Sequence, residues 1–212
     1  MIQPPFSEIK EHYEWFTPKI MEAQSKHIRR WVSPYCHIRW ELYFTPIEEW
    51  TWMALRSFGK APFYPQYPVQ NYFLDFGNPF TKIAIECDGK EFHKDKQRDK
   101  IRDKNLYKDG WIVYRISGSD CFRTPTDEYY DLSYQPEEEQ KHILYDFYNN
   151  TIEGLINAIA ILHFEYTCFN QELDELSIAK NVLEKRISFD NGSLDRNYSK
   201  MLHLIESENY ED

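Results

Sequence analysis

No stretch of this chain is apolar for long enough to cross a bilayer. Its first residues, MIQPPFSEIKEHYEW, have neither the basic start nor the apolar run of a signal peptide. Cysteine is sparse and scattered, at Cys36, Cys87, Cys121 and Cys168. Without a Cys-x-x-Cys pair, neither a zinc site nor a disulfide framework is expected. Together these absences predict a protein of the reducing cytoplasm with no membrane partner. Internal repeats and low-complexity tracts are missing too. Aromatic residues, by contrast, make up 17% of the chain, which argues for a packed fold and against disorder.

An excess of basic residues is also lacking. The net charge is −10, which at first sight disfavours a polyanionic partner. The charge is unevenly spread, however. Residues 1–126 hold 19 Lys and Arg against 16 Asp and Glu, whereas residues 127–212 hold 6 against 19. The first part is therefore mildly basic at +3, and the acidity, −13, belongs to the last part. Local field rather than total charge steers a polyanion, so nucleic acid stays open as a partner.

What the chain does have is a group of acids set among apolar residues. Leu74-Asp75-Phe76 lies in one apolar strand, and a second ends on Ala84-Ile85-Glu86-Cys87-Asp88-Gly89. Side chains alternate along a strand, so Glu86 and Asp88 share a face. Asp75, Glu86 and Asp88 are expected to converge. Carboxylates packed in this way are costly unless a cation lies between them. A hard oxygen set favours Mg2+ or Mn2+, and metal-dependent phosphodiester cleavage is the first chemistry that follows.

Three parts are expected along the chain: a helical, aromatic arm (1–43), a core (44–126) and an acidic helical extension (127–212). In the arm, helices are predicted over 8–16 and 18–32. It either packs on the core or contacts nucleic acid through Arg29, Arg30 and Arg39 with stacking on Trp31 or Trp40. In the core, Thr45-Pro46-Ile47-Glu48 has the form of a capping box opening a helix that runs to about Phe58. A proline-broken edge strand follows over 62–68. Strands over 71–76 and 82–88 then form a hairpin about Gly77-Asn78-Pro79. A charge-dense helix over 94–109 and a buried strand over 111–116 complete the set. The order helix, strand, strand, strand, helix, strand predicts an α/β sandwich on one mixed sheet. In the extension, apolar residues at helical spacing predict a long helix over 137–169, broken near Asn149-Asn150, and further helices over 171–187 and 194–206. It carries no catalytic motif. Packing on the core, binding a protein partner and forming a homodimer are its open uses.

The ordered motifs between Phe44 and Phe122 bear a resemblance. They are Thr-Pro-x-Glu at Thr45 to Glu48, Asp-Phe at Asp75, Ile-Glu-x-Asp-Gly at Ile85 to Gly89, and His93. Arg-Asp-x-x-Arg-Asp from Arg98 and Gly-Trp-x-Val-x-Arg from Gly110 complete the series. In this order they resemble the restriction-endonuclease-like domains of the PD-(D/E)XK superfamily, in the branch related to the very-short-patch-repair (Vsr) nucleases. The resemblance implies a three-layer α/β core with a mixed central sheet flanked by helices, here with an α-helical C-terminal extension. It also implies an endonuclease that uses Mg2+ or Mn2+ and acts on DNA. The superfamily's usual lysine after Glu-x is replaced here by Asp88, and Lys90 lies two residues on.

The resemblance assigns roles residue by residue. Asp75 and Glu86 would bind the metal, with the Cys87 carbonyl as a third ligand. Asp88 would extend that shell or orient the attacking water. Glu48 would face the metal site, and His93 or Lys90 would stabilise charge at the phosphate. Lys90, Arg98 and Arg102 are the nucleic-acid contacts. Plainer roles stand beside these: a turn aspartate for Asp75, solvated edge acids for Glu86 and Asp88, and a helix cap for Glu48 or His93. For Arg98 and Arg102 the plainer role is helix-surface pairing with Asp95, Asp99 and Asp103. A non-catalytic nucleic-acid-binding or assembly module, or an RNA-cleaving effector, are the alternative functions.

Overall fold

The computed structural model describes residues 6–35, 37–58, 60–89, 96–165 and 175–208. It is an α/β fold whose four-stranded mixed sheet is flanked by helices, with further helices towards the C-terminus. The strands β1 (Tyr64–Val69), β2 (Tyr72–Asn78), β3 (Ile83–Asp88) and β4 (Ile112–Ser117) stand in the order β1-β2-β3-β4. The first two pairings are antiparallel and the β3–β4 pairing is parallel, as a crossover through a helix requires.

Phe76, Ile85 and Tyr114 lie side by side across β2, β3 and β4. Their face is covered by α2 (Pro46–Phe58) and α7 (Ile152–His163): the Phe76 ring meets Phe44 and Trp52, and Tyr114 meets His163. The opposite face carries Glu86 and Arg115 and is covered by α3 (Lys96–Lys108). The α3 helix is polar nearly all round and is anchored by the buried Leu106 and by ion pairs.

Several elements depart from their sequence pattern, each for a local reason. The arm forms one helix, α1 (Phe6–Lys26), which runs through Pro18. Pro18 is exposed, so the backbone bond that a proline omits falls on the solvent side. The buried stripe Ile9, Tyr13, Phe16 and Ile20 holds the helix together, and Tyr13 donates to the Pro65 carbonyl of β1 at 2.5 Å. Trp40 is fully buried, with its indole N–H on the Pro34 carbonyl at 2.9 Å. It is a core residue and not a stacking surface. Gly77 and Asn78, expected in the hairpin turn, are the last residues of β2. Asn78 shapes the turn from there: its Oδ1 accepts from Phe80 N and Thr81 N, both at 2.9 Å.

The expected break near Asn149 falls at Thr151, between α6 (Glu137–Asn150) and α7. Thr151 Oγ1 accepts from Gly154 N at 2.9 Å and donates to the Phe147 carbonyl at 2.8 Å, so one hydroxyl serves both helix ends. The second of these helices is buried on every side. It lies against α2, α6, α8 (Glu175–Glu184) and α9 (Ser193–Glu208). One continuous apolar core therefore runs from α1 to α9, and the acidic helices pack on it. Beyond α8, Arg115 N donates to the Arg186 carbonyl at 3.1 Å and Tyr114 bridges Ile187 antiparallel. These contacts cover the outer edge of β4. No described helix is long and apolar enough to cross a membrane.

Candidate active site

The site forms where the sheet opens. The β2–β3 ladder pairs Asn78 with Ile83, Gly77 with Ala84 and Phe76 with Ile85, and then stops. One step further Asp75 comes opposite Glu86. Cys87 N, freed from the ladder, donates to Asp75 Oδ2 at 2.8 Å, so the carboxylate is turned into the opening between the strands. Continuing the β1–β2 register by the same step sets Gln66 opposite Asp75. Glu86 is paired with Arg115 on β4. One row of four polar residues, one from each strand, thus crosses the sheet.

The neighbouring helices hold this row. Thr45 and Glu48 form the expected capping box: Thr45 N donates to Glu48 Oε2 at 2.6 Å, and Glu48 N to Thr45 Oγ1 at 3.4 Å. The other oxygen, Glu48 Oε1, accepts from Gln66 Nε2 at 2.9 Å. Glu48 is therefore both a cap and a buried neighbour of the site. From α3, Arg102 forms an ion pair with Glu86. Arg115 lies between two acids, with Nη1 2.7 Å from Asp88 and Nη2 2.8 Å from Asp103. Ser188, from the segment after α8, donates to Asp103 Oδ2 at 3.1 Å.

Burial drives the Asp75 carboxyl well above its ordinary range, and the charges of Glu86 and Glu48 push it further in the same direction. Burial raises Glu86 as well, against the pull of Arg102. One oxygen of Glu86, Oε1, is buried with no hydrogen-bond partner.

Asp75, Glu86 and Glu48 are thus brought together. Asp88 is not: Arg115 engages it, and among the described residues no group of three His, Cys, Asp or Glu side chains has metal-ligand spacing. The expected three-carboxylate convergence is corrected to a pair, Asp75 and Glu86, with Glu48 beside it. Arg102 does not pair on the helix surface but turns inward to Glu86, and Asp103 belongs to Arg115. Arg98 is on the exposed face of α3. Lys90 and His93 lie outside the described residues. Gln66 and Ser188 escaped the sequence reading, and Arg115 entered it only as part of a motif. Arg115 stands alone as a charge within IVYRIS, and Gln66 as the only residue in YPQYPV that is neither aromatic, proline nor aliphatic. Those contrasts were the available signal.

The pair suits a hard divalent cation. Its donors are carboxylate oxygens, one of them buried and unpartnered, and a cation between them would offset the desolvation of both groups and the repulsion that raises Asp75. Magnesium commonly takes only one or two protein carboxylates and keeps several waters, so a closed three-ligand shell is not required.

An α/β fold with buried acids at a split between strands is the class that the geometry defines. Residues 49–135 match the family model REase_MTES_1575, which indicates a restriction-endonuclease-like family for that segment. The match covers less than half of the chain but spans all four strands. A further similarity is to "Uncharacterized protein YcjD" of Escherichia coli (strain K12), 31% identical over 67 residues. That stretch is 32% of this chain and 57% of the other, so the chain spans little more than half the length of this relative. No solved structure matches significantly.

Proposed function

We propose that the protein is a divalent-metal-dependent endonuclease that hydrolyses phosphodiester bonds, with DNA as the substrate that the motif resemblance favours. The observation that carries this reading is the Asp75–Glu86 pair: a half-buried and a buried acid opposed where the ladder opens, the buried one with an unpartnered oxygen. The restriction-endonuclease-like match over 49–135 supports the nuclease class. Asp75 and Glu86 would hold Mg2+ or Mn2+, with the Cys87 carbonyl beside them. When bound, the ion supplies Lewis acidity to a phosphoryl oxygen and lowers the pKa of a coordinated water. Cys87 N fixes the orientation of Asp75. Glu48, held from both sides, adds negative charge next to the pair and so favours a cation there. Arg115 keeps Asp88 away from the pair and holds α3 over it through Asp103.

One observation favours a second reading. The Arg102–Glu86 ion pair already supplies a cation from within the chain, as a non-catalytic nucleic-acid-binding module would require. Cleavage assays on DNA and RNA with Mg2+, Mn2+ or chelator, using wild type and Asp75→Asn, separate the two. Metal-dependent cleavage lost in Asp75→Asn is the expected result. Absence of cleavage on every substrate, together with no measurable Mn2+ affinity, transfers the assignment to the binding module.

A further inference from the structure

Four non-glycine residues among those described have a positive φ: Gln66, Gln70, Lys82 and Glu165. Gln70 and Lys82 occupy turns and Glu165 follows the end of α7. Gln66 alone sits inside a strand, at φ 48°, between Pro65 and Tyr67. A left-handed conformation is unfavourable for a residue with a Cβ and persists only where its surroundings impose it. Ladder pairing does not account for it, because Pro65 and Tyr67 pair with Phe76 and Leu74 on either side of Gln66.

The side chain shows what the backbone distortion accomplishes. Gln66 Nε2 reaches Glu48 Oε1 at 2.9 Å, and this links the edge strand to the first turn of α2. Thr45 N holds the other oxygen. The carboxylate of Glu48 is thereby fixed in both position and rotation, close enough to Asp75 to raise it. The capping box needs only Oε2. The bond from Gln66 is therefore superfluous for helix formation, yet a strained strand residue makes it.

We infer that Gln66 is a positioning residue: it accepts left-handed strain to lock the Glu48 carboxylate beside the Asp75–Glu86 pair. The inference rests on the metal-dependent nuclease reading of that site. Two substitutions in the full chain test it. Asparagine and glycine both tolerate a positive φ, and neither reaches Glu48. Gln66→Asn and Gln66→Gly should melt within about 2 °C of wild type, because relieved strain offsets the lost hydrogen bond. Their kcat should fall at least tenfold with KM unchanged, and Mn2+ affinity measured by calorimetry should fall several-fold.

A purely structural link would instead lower the melting temperature and leave kcat and Mn2+ affinity in the folded variants at wild-type values, and that result overturns the inference. Wild-type cleavage retained in both variants also overturns it and leaves the nuclease reading standing. If the wild-type protein cleaves nothing, the nuclease reading falls, and the Mn2+ titration decides the role of Gln66 alone. Weaker binding in both variants then supports it, while equal binding, or none to the wild type, refutes it.

Discussion

Asp75 and Glu86 face each other, but the fold treats them in opposite ways. Asp75 is half-buried beside two other acids that raise it, and Cys87 N donates to it. Asp75→Asn removes the repelled charge and leaves an amide oxygen that can accept the same bond. The expected result is a melting temperature raised by about 2–4 °C, the shift that about 1 kcal/mol produces in a chain of this size, with cleavage abolished. Glu86 holds the Arg102 guanidinium. Glu86→Ala strands a half-buried arginine and should cost about 3 kcal/mol. Adding Arg102→Met should restore part of that loss without restoring cleavage. Thermal melts of the three variants check these signs, and a stabilising Glu86→Ala would show that the ion pair contributes little. At this scale the sequence revealed identities better than partners. Alternation within one strand marked Glu86 and Asp88 as neighbours. It could not show that Arg115, one strand away and 27 positions later, claims Asp88.

Elements depend on contacts that a sequence pattern only hints at. The α6–α7 junction was legible as a break because Asn149-Asn150 interrupts an apolar repeat, but the constraint lies at Gly154. A Cβ there would come within 2.1 Å of the Phe147 carbonyl. Backbone cannot yield as a flexible side chain does, so Gly154→Ala should cost more than about 3 kcal/mol and leave the chain largely insoluble. Soluble protein with a normal melt would refute that reading of the junction.

Two buried histidines give the helices an acid limit. His12 on α1 has neither ring nitrogen hydrogen-bonded, and burial lowers its pKa to about 4, helped by His37. His163 at the end of α7 bridges Tyr114 and Asn197, and burial likewise lowers it to about 4. Both are neutral in the fold, whereas the unfolded chain takes up protons near pH 6.5. Stability from these groups is therefore complete above about pH 6.5 and is lost as the pH falls towards about 4. Urea midpoints across that range should show the decline, and His163→Gln should flatten it. Equal slopes in the two proteins would place the acid sensitivity elsewhere.

For the molecule as a whole, the motifs marked the α/β region correctly because strand alternation and capping are local signals. They could not show that the acidic helices complete its core, since burial of α7 depends on faces far apart in sequence. A chain ending at residue 126 would lose α7 and uncover the inner sides of α2 and β4. It should fail to fold, as far-ultraviolet circular dichroism and solubility would show; a compact, soluble truncation would mean that the first part is self-sufficient.

The pairing along the outer edge of β4 also has a consequence in time. Arg115 meets the strand-like segment at Arg186, 71 residues later. Closing so long a loop comes late in folding. During synthesis Asp103, and through it Arg115, lacks Ser188 until the segment after α8 has emerged. Under the proposed nuclease reading, the segment after α8 thus acts as a clock: the ion-pair network beside the carboxylates is finished only once Ser188 has been made, and a nascent chain interrupted before it is left without that support.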